Sequence, residues 1–318
     1  MRAVIAQDKQ PILTDIPTPK PESGELLIKV RATALNRADL LQVAGSYPPP
    51  PGAPDTLGME LAGEVVEIGV GVIGYKVGER VMALVGGGGY AEFAVAPAEH
   101  CMRVPDILSD EEAAAIPEAF LTAYSNMLEI GGLVAGETVL IHAGASGVGL
   151  AAIQIAKHIG AQVITTASAN KHDVYIAHGA HQAIDYKSQN FANMILADSE
   201  GIDLVIDFIG ANYWDDNVRV MKKWGRLVFV GLMGGAQKEV NFSQIMRKRL
   251  TIAGSTMRDR TYERKAGLIG RFWKWAEPPF RTGALKATVW RSLSLEQVAE
   301  AHQLMQQNQN AGKIVLML

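Results

Sequence analysis

Thr138-Val139-Leu140-Ile141-His142-Ala143-Gly144-Ala145-Ser146-Gly147-Val148-Gly149 runs an apolar strand into a glycine-rich turn, and Leu150 to Ile159 continues as a helix. Val163 to Thr166 is then a second apolar strand. Glycines at Gly144, Gly147 and Gly149 let the backbone come close to a pyrophosphate, which the first amides of the helix can bind. Ser146 stands where the middle glycine of a G-x-G-x-x-G turn is usual. The competing reading is a plain strand-to-helix turn, which also favours glycine. Strand, turn, helix and strand in that order favour a dinucleotide site.

The second strand ends Thr166-Ala167-Ser168-Ala169-Asn170-Lys171. A carboxylate there would accept the ribose hydroxyls of NAD. None is present, and a small polar cluster followed by Lys171 suits a 2′-phosphate, so the expected coenzyme is NADPH. An ordinary solvated helix lysine is the alternative for Lys171.

Outward from this segment the alternation continues, with strands expected at Leu204 to Ile209 and Leu227 to Val230. Apolar strands of this kind fit a parallel sheet with crossover helices. The first third differs. Leu26 to Val30, Leu61 to Ile68, Arg80 to Leu84 and Tyr90 to Val95 read as short strands between Gly/Pro turns. Pro48 to Pro51 forms a stiff loop, and the whole suggests a small barrel or sandwich. Ser109-Asp110-Glu111-Glu112 is a capping box, and Pro117 suits the first turn of a helix. A helix at Leu295 to Met305 and a strand at Lys313 to Met317 close the chain. The fold class is α/β in two domains.

The 318 residues carry a formal net charge of −3 and one cysteine, Cys101. That balance gives no polyanion signal, and a lone thiol excludes an intrachain disulfide framework. No apolar run is long enough to span a bilayer, and Met1-Arg2-Ala3-Val4 reads as a strand rather than a signal peptide. A cytoplasmic protein is expected. Arg247-Lys248-Arg249 is the tight basic run; it lacks the broad basic face that phosphate tracking needs, so no nucleic acid is expected.

Several segments together resemble one family. They are Ala34-Leu35-Asn36-Arg37-Ala38-Asp39-Leu40, Tyr47 with Pro48 to Gly52, Ala115-Ile116-Pro117-Glu118-Ala119, Leu121-Thr122-Ala123, Ile141 to Gly149, Gly231-Leu232-Met233-Gly234-Gly235, and Asn310 with Gly312 to Leu316. The chain resembles the medium-chain dehydrogenase/reductase superfamily in its zeta-crystallin-like NADPH:quinone oxidoreductase branch, most of all the tumour-suppressor-inducible quinone oxidoreductases.

The resemblance implies a GroES-like catalytic domain over 1–117 and 258–318, a Rossmann domain over 118–257, and a coenzyme cleft between them. It places Asn36 near the nicotinamide and Thr122 beside the coenzyme. Gly144 and Ser146-Gly147-Val148-Gly149 hold the pyrophosphate. Ser168, Lys171 and Tyr186 surround the 2′-phosphate. Gly231, Leu232 and Met233 pass the nicotinamide ribose, and Asn310 touches the coenzyme. It also implies a homodimer, or a tetramer, joined at the edge Leu250 to Gly254.

Zinc members of that superfamily use an early cysteine and a histidine before a glutamate; here Asn36 and Met59-Glu60 stand there. Tetrahedral zinc cannot be built from one cysteine and scattered histidines, so no metal is expected. His100 and Cys101 read as strand neighbours on opposite faces. Without a Lewis acid, acceptors that delocalise incoming charge are favoured. The expected activity is zinc-independent NADPH reduction of quinones. The alternatives are a 2-alkenal or enone double-bond reductase and, from another class, a non-catalytic NADPH- or RNA-binding crystallin-like protein. Asn36 can donate and accept, and Tyr47 can stack on a flat acceptor or donate its hydroxyl; a turn asparagine and a packing aromatic are the respective alternatives.

Overall fold

The segment around the glycine turn forms strand Thr138–Ile141, helix Gly147–His158 and strand Gln162–Ala167. The helix is apolar around most of its circumference, with Leu150 to Ala156 all buried, because it lies under neighbours on several sides. Lys157 and His158 stand in its last turn, where cations oppose the negative end of the dipole. The computed structural model describes residues 1–318. It divides into Met1–Leu121 with Arg258–Leu318, and Thr122–Met257.

The second unit holds six parallel strands in the spatial order Gln182–Asp185, Gln162–Ala167, Thr138–Ile141, Ile202–Asp207, Met221–Phe229, Thr251–Gly254. By chain order that is 3-2-1-4-5-6, the doubly wound arrangement, whose direction reverses between Thr138–Ile141 and Ile202–Asp207. Leu140, Ile164, Ile184, Val205 and Leu227 fill the core beneath one face, each contributing about 1.5–3 kcal/mol by leaving water.

The first unit is built on Glu25–Ala34, a ten-residue strand that pairs antiparallel with Glu60–Ile68, Phe93–Pro97 and Lys313–Met317. The seven-stranded sheet continues through Arg80–Leu84 to Cys101–Arg103 on one side and to Val289–Ser294 on the other. The last strand lands on the end of Glu25–Ala34: Val315 sits opposite Ala34, and Leu35 donates to the carbonyl of Ile314 at 2.9 Å. That register carries Lys313 to the start of helix Arg37–Val43.

Ser109 caps Asp110–Ala114 through a capping box with Glu112, and Pro117 opens Pro117–Tyr124. Some expectations shift. The strand placed at Tyr90 to Val95 is Phe93–Pro97; Tyr90 lies in a turn whose backbone pairs with Leu57. The strand expected to reach Ile209 stops at Asp207, because the Asp207 carboxylate takes the amides of Ile209 (2.6 Å) and Gly210 (3.1 Å) and bends the chain. His100 ends a short helical turn rather than standing on the strand that Cys101 begins, and both side chains are buried. The twenty-residue helix Tyr262–Arg281 is not legible by the same reading. Its buried residues Leu268, Ile269, Phe272 and Ala276 have helical spacing, but Pro278 and Pro279 in its last turn disguise it.

Candidate active site

In the second unit Gly144 to Gly149, Ser168, Lys171, Tyr186 and Gly231 to Met233 follow the C-terminal ends of parallel strands, where α/β sheets bind ligands. Ala143 takes the left-handed φ of 50° at the turn. Gly144 and Gly149 are required by crowding. A Cβ on Gly144 would sit 2.1 Å from the Thr165 hydroxyl, and one on Gly149 would sit 2.6 Å from the Ala143 carbonyl. The Ser146 hydroxyl is turned into the protein. It donates to Ala143 O at 2.9 Å and accepts from the Gly149 amide at 2.9 Å, so it caps the helix. The amides of Gly147 and Val148, at the first two helical positions, are the groups suited to an anion.

Beneath this turn lies a network that motif reading misses. His142 bonds Thr166 Oγ1 at 2.8 Å and Asn217 Oδ1 at 2.7 Å, and Asn217 Nδ2 donates to Asp207 Oδ2 at 3.0 Å. Because a carboxylate only accepts, the Asn217 amide must face Asp207 with its nitrogen. Its oxygen then accepts from His142 Nε2, leaving Nδ1 to accept from Thr166. Burial pushes the imidazole pKa down to about 4, so it is neutral, as that tautomer requires. Burial raises Asp207 to about 6, against the three donors that face it. The chain of bonds ties the strand ends on both sides of the reversal point.

At the end of Gln162–Ala167, Ser168 leads a short turn closed by Lys171 N–H to Ser168 O at 3.0 Å. The parallel register that sets Asp185 beside Ala167 brings Tyr186 and Lys187 to the same place. Asp185 is occupied by Ser188 Oγ (2.7 Å) and the Lys187 amide (3.2 Å). Lys171 has its pKa lowered, first by burial and then by Lys187, so two cations share this corner. Lys187 carries no local signal, since it follows a strand on the far side of a helix in sequence. Gly231, Leu232 and Met233 follow strand Met221–Phe229, with Leu232 and Met233 exposed and Gly231 N–H on Asp207 O at 3.3 Å. Thr122 is buried in Pro117–Tyr124, its carbonyl accepting from Asn126 Nδ2 at 2.7 Å. A π-helical stretch, Ser125–Ile130, follows it.

In the first unit Asn36 precedes helix Arg37–Val43 and Tyr47 follows it. Asn36 is enclosed by charge. Lys313 Nζ donates to Asn36 Oδ1 (2.7 Å), Leu35 O (2.7 Å) and Glu60 Oε1 (2.6 Å). Asn36 Nδ2 donates to Glu60 Oε1 (2.8 Å) and Ala34 O (3.3 Å), and the amide of Glu118 reaches Glu60 Oε2 (2.8 Å). Both ends of the Asn36 amide are therefore engaged by the protein. Asp39 caps the helix by accepting from Asn36 N–H (2.7 Å) and also from Tyr90 OH (3.0 Å). Burial raises Asp39 to about 6. Met59 is buried beside Glu60, and no three His, Cys, Asp or Glu side chains group so as to hold a metal ion.

Tyr47 is half-buried, and Arg258 lies 5.2 Å from its ring centre. Its phenol pKa is raised, chiefly by burial and then by Glu118, with Arg258 opposing. Asn310 lies in this unit and donates to Gly312 O at 2.7 Å. Two residues of the basic run at 247–249 are engaged within the protein. Lys248 Nζ caps three carbonyls of Val218, Arg219 and Met221 (2.7–2.9 Å), and Arg249 lies 5.1 Å from the Trp224 ring centre. No helix is long and apolar enough to cross a membrane.

Residues 22–106 match the alcohol dehydrogenase GroES-like domain and residues 147–271 the zinc-binding dehydrogenase family. The chain is 31% identical to the zebrafish synaptic vesicle membrane protein VAT-1 homolog over 94% of its own length, and spans 65% of that protein. It is 32% identical to the quinone oxidoreductase of Lama guanicoe, over 96% of this chain and 92% of the relative. A mycobacterial structure complexed with NADPH superposes over the full length of both chains with TM-score 0.90 at 29% identity. An apo enoyl reductase structure, JamJ, covers 99% of the chain and 98% of its own with TM-score 0.88 at 25% identity. With its glycine turn, its 3-2-1-4-5-6 sheet and these relatives, the chain belongs to the medium-chain dehydrogenase/reductase superfamily, in the quinone oxidoreductase branch.

Proposed function

We propose that the chain is a zinc-independent reductase that uses NADPH to reduce quinones. The observation that carries this reading is the Lys313–Asn36–Glu60 cluster. Asn36, bonded at both ends by Lys313 and Glu60, stands where zinc relatives place a ligand cysteine, and Met59 stands where they place the ligand histidine. When bound, NADPH supplies the hydride. The chain's own residues do the rest by binding and orienting. The Gly147 and Val148 amides hold the pyrophosphate, and Gly144 and Gly149 keep its turn open. Ser168, Lys171 and Tyr186 receive the 2′-phosphate. Thr122, Gly231, Leu232, Met233 and Asn310 line the remainder of the coenzyme. Tyr47 presents its ring to a flat acceptor, and Asn36, locked by Lys313, is a positioning residue for the helix that leads to Tyr47.

The likeness to an enoyl reductase supports a second reading, reduction of the carbon–carbon double bond of an enone. The two place the same demand on the site, since both put negative charge on a conjugated oxygen. A homodimer joined through the edge strand Thr251–Gly254, which pairs on one side only within the chain, and a cytoplasmic location complete the proposal. The test is loss of NADPH absorbance with a naphthoquinone, an enone and a primary alcohol plus NADP⁺, each after exhaustive chelation. Turnover of the quinone above the enone is expected. Enone turnover above quinone selects the second reading, and chelation-sensitive alcohol oxidation overturns both.

A further inference from the structure

Arg258 is 6% exposed, yet each hydrogen-bond acceptor of its guanidinium is neutral. Nε and Nη2 donate to the carbonyl of Gly86 at 3.1 and 2.8 Å, Nη1 to the carbonyl of Tyr47 at 3.2 Å, and Nη2 to Gln42 Oε1 at 2.6 Å. Asp39 and Glu118 act on it only through the longer-range field. A buried guanidinium usually carries a bonded carboxylate, because an unneutralised charge is costly away from water. The contrast with Lys313 in the same unit is direct: that ammonium is paired with Glu60 at 2.6 Å. Here three elements are drawn together instead: Gln42 on helix Arg37–Val43, the Tyr47 loop and the turn at Gly86. The cation is left next to the Tyr47 ring, 5.2 Å from its centre.

We propose that Arg258 is the electrostatic and positioning residue of the acceptor site: it holds the Tyr47 loop in place and supplies a positive charge, bonded to no carboxylate, that stabilises the oxyanion formed on the reduced acceptor. The inference rests on the reductase reading above. Hydride addition to the β-carbon of an enone moves the carbon–carbon π pair toward the carbonyl and leaves an enolate oxygen, which then takes a proton from water. Addition to a quinone likewise leaves a hydroquinone monoanion. In both cases the two electrons come from the dihydronicotinamide, which ends oxidised. The enolate holds its charge on a more basic oxygen than the hydroquinone anion does, so a fixed cation matters more for the enone.

The test compares Arg258→Gln and Arg258→Lys with the parent, using NADPH and a graded series of enones and naphthoquinones that differ in the acidity of their reduced product. Arg258→Gln is expected to lower kcat about 10- to 100-fold for the enones, at or below the loss from removing a direct oxyanion donor. For the most acidic quinone products the loss should be less than about threefold. Arg258→Lys keeps the charge and loses the fork, so it should raise KM across the series while keeping the parent's dependence of kcat on product acidity. NADPH affinity, read by fluorescence quenching, should stay within about threefold in both. An equal loss of kcat across the whole series in Arg258→Gln, or no loss, overturns the proposal, since a purely structural brace cannot sense product acidity. If Arg258→Gln does not fold, Arg258→Lys decides alone, and a steeper dependence than the parent's overturns it. If the parent reduces neither class, it is the reductase reading that fails.

Discussion

Replacing Lys313 with methionine removes one half of a buried ion pair and keeps the length of the stem. The ammonium is 5% exposed and its partner Glu60 is fully buried, so water and salt screen the pair little. In Lys313→Met the Glu60 carboxylate keeps the Asn36 amide and the Glu118 N–H, but nothing balances its charge. Breaking a buried pair by removing one partner costs about 3–5 kcal/mol. Asn36 Oδ1 and Leu35 O also lose their donor, which places the expected cost at the upper end, about 5 kcal/mol. In a unit of this size 1 kcal/mol moves Tm by about 2–4 °C, so a fall on the order of 10–20 °C follows. An exposed pair such as Arg2–Glu92, with side chains 45% and 33% exposed, should cost under about 1 kcal/mol by the same measurement.

The assay is a double-mutant cycle of Lys313→Met, Glu60→Gln and their combination, by urea denaturation with tryptophan fluorescence, at about 0.05 and 0.5 M salt. Each single variant leaves a lone buried charge. The double variant leaves none, so it should be more stable than Lys313→Met alone. The interaction energy should exceed about 2 kcal/mol and hold steady between the two salt concentrations. Additive costs, or a Lys313→Met cost below about 1 kcal/mol, would falsify the view that this cluster is a desolvated charge pair.

Two further outcomes follow from the site. Lys171→Ala should raise KM for NADPH roughly 10- to 150-fold, from the loss of about 1.5–3 kcal/mol in a charge-assisted bond, and leave KM for NADH nearly unchanged; an equal rise for both coenzymes would remove Lys171 from the phosphate site. The pH dependence of stability should carry opposing contributions from buried groups. Asp39 and Asp207, raised to about 6, bind protons in the folded chain that the unfolded chain releases above about 4, so their contribution falls as pH rises through that window. His142 and His302, lowered to about 4, stay neutral while the unfolded chain still holds protons up to about 6.5, so theirs rises over nearly the same range. Asp39→Asn removes one falling contribution, and its stability should gain about 2 kcal/mol more than the parent's between pH 4 and 6. Parallel pH curves for the two proteins would show that Asp39 does not titrate in that window.

The coenzyme unit was legible because its signals are local. An apolar strand, a turn crowded enough to demand Gly144 and Gly149, a helix and a strand without a terminal acid lie within thirty-four residues, and each is read from its neighbours. The polar networks were not, because their partners are distant: 75 residues separate His142 from Asn217, and 277 separate Asn36 from Lys313. A lone Asn36 reads equally as a turn residue or a substrate ligand, and only its neighbours in space show its amide bonded at both ends. Arg258 is harder still, since in Met257-Arg258-Asp259-Arg260 it reads as one charge among several on a surface turn, and nothing local says that it is the buried one. Yet one pair was within reach. Glu60 stands in Gly58-Met59-Glu60-Leu61-Ala62, and Lys313 precedes Ile314-Val315-Leu316, so each places a charge in an apolar strand that buries its neighbours. A buried carboxylate needs a donor and a buried ammonium needs an acceptor. Two such charges of opposite sign in one β-rich unit are each the simplest answer to the other, and their union at 2.6 Å fixes where the last strand must dock.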